Sequence, residues 1–430
     1  MAWLLRYRSR HVLREAAPFL GRVVRIAFIV GGFPLISETF ILNQITGLID
    51  LGHQVDIFAR RRSPDHAVHP DVEKYGLLGR TRWFNLPLTR WGRVTRAGGT
   101  FLRMFPRCPL AMLRCLNLPR YGSIYRVLNN IMHAPPFLAA QYDVVMCHFG
   151  GNGIDFIFLK DLLPNLKFVT MFHKGDILLG DERTAAVYRQ LPKQGDIFLA
   201  ICESWNRRKL LEFGFDARRI RLHPIGVDTR RMSVQVREPR GARLDILTVA
   251  RLHPEKGIEH GLRAVATLII RRPGTVVRYR IIGDGEDRAR LSALVETLGL
   301  GAVVEFLGPL PTPDVIHWMH ASHLFLLPSL AEATPTVLLE AQATGLPILA
   351  TNVGGVRDIV APQAGFLVSA ADSDVLADRL AAMVDHPERW PDMGRAGRRF
   401  VEERHDIVDL NVRLAALFQI LVVGTGEQLA

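Results

Sequence analysis

At 430 residues, with 48% hydrophobic content and a formal net charge of +12, the chain is too long for one ordinary core and too apolar for disorder. It divides most naturally into two domains of roughly 150–220 residues. Four scattered cysteines (Cys108, Cys115, Cys147, Cys202) form no CxxC pair and no His cluster stands at metal spacing, which argues against a disulfide framework and a zinc site. No uninterrupted apolar stretch reaches the roughly 18 residues of a spanning helix.

Residues 1–22 mix arginines among apolar positions and lack the separate apolar core of a secretory signal, so a basic amphipathic arm and a cytoplasmic location are expected. At Val23 the run VVRIAFIV ends in Gly31-Gly32. A helical pattern from Ser37 through Leu51 follows, with Ser37 and Glu38 suited to its start, and then the strand VDIFA. Strand, glycine turn, helix and strand make a βαβ unit.

Charge is unevenly placed. Residues 1–130 carry 20 Lys and Arg against 7 Asp and Glu, and the remainder sums to about −1. From Lys74 to Tyr142 there is no acidic residue, while Arg80, Arg82, Arg90, Arg93, Arg96, Arg103, Arg107, Arg114, Arg120 and Arg126 accumulate among Trp, Phe, Leu and Met. Such a segment, about residues 76–140, would be drawn to an anionic surface.

Further strands are predicted at Val144–Cys147, Lys167–Met171, Ile197–Ile201 and Arg219–His223, completing a first domain over 23–228. The polar stretch 229–243 reads as a linker. A second strand and helix series over 244–405 includes helical patterns at Ile258–Arg271 and Glu286–Leu298. The last residues, 406–430, read as a helix returning to the first domain, because its apolar face would otherwise be exposed. Alternation of this kind predicts doubly wound parallel sheets, whose ligands collect beyond the carboxyl ends of the strands.

Three places in the second domain carry the chemistry. In Ser329–Val360, Thr334 suits an N-cap and Pro335 the first helical position. That leaves the amides of Thr336 and Val337 free for a diphosphate, Glu332 one loop away to accept from sugar hydroxyls, and Glu340 to reach the paired hydroxyls of a ribose. In LTVARLHPEKG, Arg251 and Lys256 follow a strand and could neutralise a pyrophosphate leaving group. In IIGDGEDRAR, Gly283 and Gly285 close a strand and open a helix. Each feature alone also fits a salt bridge, a dipole-complementing acid or an ordinary tight turn.

As an ordered set, Arg251 with Lys256, the Gly283–Gly285 turn, Glu332-x7-Glu340 with GLPILAT, and Gly354-Gly355 resembles the retaining GT4-type glycosyltransferases of the GT-B fold. The first half agrees: Gly31-Gly32-Phe33-Pro34 with SETFI, His148-Phe149-Gly150, His173-Lys174-Gly175-Asp176, and Pro224 to Asp228. SETFI is similar to the branch that builds bacterial exopolysaccharides and colanic-acid-like polymers.

The resemblance implies an α/β fold of two Rossmann-like doubly wound domains facing across a cleft. It also implies a hexosyltransferase that keeps the anomeric configuration. Arg251 and Lys256 would hold the donor diphosphate, Glu332 the transferred sugar and Glu340 the ribose. Gly31 and Gly32 would let amides approach the phosphate, with His173 and Asp176 beside the reacting sugar. Two departures stand out: Lys174 interrupts the usual HG-x-D, and Arg357-Asp358 follows the paired glycines in place of a glutamate.

The expected partners are a UDP- or GDP-sugar donor, a polyprenyl-diphosphate-linked oligosaccharide acceptor and the anionic inner face of the cell membrane, with no nucleic acid. No cofactor is expected, and no metal, since no DxD-like motif ends a strand. Two other readings are an epimerase or phosphorylase on the same fold, and a nucleic-acid-binding protein. An epimerase would have little use for the basic segment, a phosphorylase usually needs a Lys-bound pyridoxal phosphate that no motif here identifies, and a nucleic-acid-binding protein gives no reason for Glu332 and Glu340.

Overall fold

The computed structural model describes residues 22–35, 38–63, 69–173, 176, 188–237 and 243–424. The chain splits into two compact units: Met1–Ile201 with Asn206–His223 and Val408–Ala430, and Cys202–Trp205 with Pro224–Ile407. Each is a parallel sheet with helices.

The first unit holds seven strands: β1 (Arg25–Phe33), β2 (Gln54–Arg62), β3 (Thr81–Trp83), β4 (Val144–His148), β5 (Lys167–Phe172), β6 (Ile197–Ala200) and β7 (Ile220–Leu222). Their order is β3-β2-β1-β4-β5-β6-β7. All pair in parallel, Ile26 lying between Val55 of β2 and Val144 of β4. Central strands covered on both faces must be apolar on both faces, which is why β4 is buried at every residue. The sheet grows away from β1 in both directions, so its topological switch point lies between the ends of β1 and β4.

The second unit holds β8 (Arg243–Val249), β9 (Val276–Ile282), β10 (Val304–Gly308), β11 (Leu324–Leu327), β12 (Ile348–Thr351) and β13 (Gly365–Val368), ordered β10-β9-β8-β11-β12-β13. Successive side chains alternate between two cores, as the strand period of two requires. Ile246, Ile281, Leu326 and Leu349 pack with Leu262, Leu268, Leu376 and Leu380. Leu247, Ile282, Phe325 and Ile348 pack on the other side with Leu338 and Leu339. Here the switch point falls between β8 and β11.

One sequence expectation changes. The stretch 229–243, expected to be a linker, is anchored in the second unit as far as it is described. Buried Arg237 donates to the carbonyls of Ser322 (2.9 Å), Met319 (2.7 Å) and Thr344 (3.1 Å), so a polar composition conceals a packed segment. The basic segment folds into helices between β3 and β4, including Arg90–Met104, Pro109–Cys115 and Ile124–His133. Of the arm at 1–22 only Arg22 lies within the described residues, and Ser37 lies outside them; the helix there runs Thr39–Asp50, with Glu38 at its cap position making no side-chain cap. No helix of the described residues is long and apolar enough to cross a membrane.

The helix Ile407–Val423 belongs with the first unit. Its Leu414, Ala415 and Phe418 are buried, Asn411 Nδ2 donates to Asn43 O at 3.1 Å, and Gln419 Nε2 donates to Arg22 O at 3.0 Å.

Candidate active site

In the second unit the loops after β8, β9, β11 and β12 interlock at the carboxyl edge of the sheet. Leu330 N donates to Glu255 O at 2.7 Å, which ties the β11 loop to the β8 loop. Gly355 N donates to Ala333 O at 2.8 Å, tying in the β12 loop. Gly354 has φ +56°, and a Cβ there would run into the Glu332 carbonyl. Gly283 has φ +129°, and a Cβ would strike the Ala250 carbonyl. These two positions therefore require glycine both for conformation and for space.

The interlocking delivers Lys256 to Glu332. Lys256 Nζ donates to Glu332 Oε1 at 2.6 Å, and Ser329 Oγ donates to the same oxygen at 2.8 Å. Glu332 is 8% exposed. Because both bonds fall on Oε1, Oε2 is left to accept from an incoming group. Ser329 was not singled out from sequence; its signal was its place at the end of β11, three residues before Glu332.

The helix Thr336–Ala343 starts four residues after Glu332. Its cap position is Pro335 rather than Thr334, and it makes no side-chain cap. The Thr334 hydroxyl is buried without a hydrogen-bond partner among the described residues. Thr336 and Val337 are thus the first two helical residues. Their amides have no carbonyl a turn earlier in the helix to bind, leaving the end open to an anion.

Glu340 sits one turn further on, partly exposed, its carboxyl pushed up to about 6 by burial. Arg251 is exposed and makes no side-chain hydrogen bond or ion pair among the described residues. Asp358, where a glutamate was expected, accepts from the Ser204 backbone N–H at 2.7 Å.

In the first unit Gly31 and Gly32 lie among the last residues of β1, ahead of Phe33, and a Cβ at Gly31 would meet nothing within 4 Å among the described residues. At the neighbouring end of β4, His148 Nδ1 lies 3.2 Å from His173 Nε2, leaving His173 Nδ1 as the ring nitrogen not engaged with His148. Burial pushes His173 down to about 3 and His148 well below the usual histidine range, so both rings are neutral at physiological pH. Phe40 and Phe149 flank His173 at 4.8 and 4.6 Å. Phe149 has φ +69°, a strained conformation for a bulky residue and of the kind that collects at functional sites.

Asp176, expected beside the reacting sugar, has its carboxylate hydrogen-bonded to backbone amides. It accepts from His173 N at 2.9 Å, from the amides of Gly150 and Gly151, and from the Tyr188 hydroxyl. Burial pushes it up to about 6 despite these bonds. Through the first of these bonds Asp176 is tied to the His173 backbone. Sequence reasoning gave no role to Glu38 beyond the helix start, yet burial pushes its carboxyl up to about 7.

Two Rossmann-like parallel-sheet units, one with a lysine, a buried glutamate and an open helix start at its switch point, define the class of GT-B glycosyltransferases. Residues 37–231 match the model of Glycosyltransferase Family 4, and residues 231–400 that of Glycosyl transferases group 1. A protein of Escherichia coli K12 assigned as the colanic acid biosynthesis glycosyltransferase WcaL is 35% identical over 93% of this chain and 100% of its own length. The amylovoran biosynthesis glycosyltransferase AmsK of Erwinia amylovora is 30% identical over 82% of this chain and 89% of its own length. Among solved structures, Anabaena HepE in complex with UDP superposes with a TM-score of 0.67 at 17% identity, over 91% of this chain and 98% of that one. The chain belongs to Glycosyltransferase Family 4 and is a glycosyltransferase.

Proposed function

We propose that this enzyme moves a hexose, with retention of configuration, from a UDP- or GDP-sugar to a polyprenyl-diphosphate-linked oligosaccharide in exopolysaccharide biosynthesis. The observation that carries the reading is the Lys256–Glu332 pair, set four residues before an open helix start at the switch point of the second unit. A diphosphate gives Lys256 a second anionic partner and binds the Thr336 and Val337 amides, with Arg251 as a further cation. Glu332 Oε2 accepts from a hydroxyl of the transferred sugar, and Glu340 accepts from the ribose. The UDP bound to HepE and the exopolysaccharide roles in the names of WcaL and AmsK support this choice of donor and pathway class.

In the transfer, the bond from the anomeric carbon to the diphosphate oxygen breaks on the face where the acceptor hydroxyl attacks. The bond to the acceptor oxygen forms, and the acceptor proton passes to the departing phosphate. Positive charge fixed beside the leaving group supplies most of the stabilisation, with no divalent ion taking part. His173, neutral and half engaged by His148, offers its other nitrogen as a hydrogen-bonding group beside the sugar.

The arginine-rich stretch before β4 supports a membrane-bound acceptor at the cytoplasmic face, each cation near an anionic surface contributing on the order of 1 kcal/mol. The test is thermal: UDP- and GDP-sugars should raise the melting temperature, and the shift should vanish in Lys256→Ala and Glu340→Ala. A shift that persists in both variants would sink the donor assignment.

A further inference from the structure

We propose that the outer faces of the helices Arg90–Met104 and Pro109–Cys115 insert into the headgroup layer of an anionic bilayer. This seat rests on the membrane-bound acceptor reading for its purpose, while its physical basis is separate. In the first helix only Ala97 and Met104 are buried. Trp91, Val94, Leu102 and Phe105 are exposed by 80, 46, 75 and 37%. At the helical repeat of 3.6 residues these four fall within an arc of roughly 80°, well away from the buried pair.

The second helix repeats the pattern, with Met112 and Cys115 buried while Leu110, Leu113 and the following Leu116 are exposed by 70, 51 and 44%. Leu88, just ahead of both helices, is 96% exposed. Isolated exposed apolar residues are ordinary; two successive helices turning leucine and tryptophan outward mark a surface that is covered in use.

Charge selects what covers it. Several arginines of the segment are spent inside the protein. Arg93 Nε donates to Pro87 O at 2.8 Å, Arg96 Nη1 donates to Asn85 O at 2.9 Å, and Arg120 makes two 2.8 Å bonds to Asp161. Yet no acidic side chain occurs between Lys74 and Asp143. A second copy docked through the same faces would bring arginine against arginine with no carboxylate between them, which disfavours a symmetric dimer. An anionic lipid surface complements the arginines and receives the apolar stripe together, the arrangement of an interfacial helix.

The test uses the full chain and bare vesicles, either phosphatidylglycerol with phosphatidylethanolamine or phosphatidylcholine alone. Wild type is expected to sediment with the anionic vesicles, to retain part of its binding at roughly 0.5 M salt, and to show tryptophan fluorescence quenched by brominated lipids to an extent that Trp91→Ser lowers. Trp91→Ser/Leu102→Ser should lower partitioning by about tenfold or more while keeping the donor-induced thermal shift. Ile270→Ser, at an 80% exposed position in the second unit, should change nothing. Wild-type partitioning by the double variant, binding abolished entirely by salt, or a wild-type dimer that the double variant dissociates would each overturn the proposal. Intact seating without transfer to lipid-linked saccharide would instead remove only the acceptor reading.

Discussion

Lys256 Nζ stands 2.6 Å from Glu332 Oε1 although the two residues are 76 positions apart, one on the loop after β8 and one on the loop after β11. Their side chains are 19 and 6% exposed, so the ion pair is largely removed from water before any donor arrives. Ser329 Oγ donates to the same oxygen, a second hold on the carboxylate that does not depend on Lys256.

Lys256→Met should therefore do two separable things. Leaving a buried carboxylate with only a hydroxyl partner costs about 3 kcal/mol of second-unit stability, read by chemical unfolding. Removing the cation beside the leaving group lowers kcat roughly 10²–10³-fold. Adding Glu332→Gln should restore much of the stability and none of the activity.

Glu340 predicts a conflict between stability and binding. Its folded carboxyl lies at about 6 against an ordinary value of 4.5, so the folded protein keeps a proton that the unfolded chain has released. The stabilisation is fully present below pH 4.5 and is lost as the pH rises through about 6, leaving a penalty of about 2 kcal/mol at neutral pH. Glu340→Gln should raise the donor-free melting temperature at pH 7.5 by about 2–4 °C and weaken donor binding. A melting temperature that falls would contradict this account.

Acid should act first on the first unit. His133 and His173 lie at about 3 and His223 at about 4, lowered chiefly by burial, and His148 is lowered well below its ordinary range for the same reason. Each is neutral when folded and takes up a proton on unfolding once the pH drops below about 6.5, so stability present above that value is lost progressively as the pH falls. Hydrogen exchange followed from pH 7 to 5 should show protection in β4 and β5 collapsing before protection in β8 and β11.

If Arg251, Lys256 and the helix amides supply the charge that the leaving group needs, transfer should proceed unchanged in excess chelator. Loss of turnover on chelation, restored by one particular divalent ion, would refute the metal-free route.

Much of the architecture was legible because parallel strands buried on both faces leave continuous apolar runs, as in β4 and β11, and because the helical pattern at Ile258–Arg271 coincides with the helix found there. What escaped was set by distant partners. The role of Arg237 depends on carbonyls about 80 to 107 residues away. Thr334 has the side chain of a cap, but the turn at Pro335 takes the cap position. Asp176 carries the residue type of a catalytic acid, and only the fold reveals that its oxygens face backbone amides. The arginines before β4 were evident, whereas the outward turn of Trp91 and Leu102 depends on which face meets the rest of the unit.

The return of Ile407–Val423 to the first unit governs the order in which a nascent polypeptide can mature. Asn411 occupies the space beside Gly47 that any larger residue there would need, and Gln419 anchors the stretch ahead of β1. The half made first therefore lacks the partner of these buried contacts until the whole of the second unit has been translated and the final helix has followed it. A stop codon ahead of Ile407 would leave the second unit nearly whole and the first without its last helix.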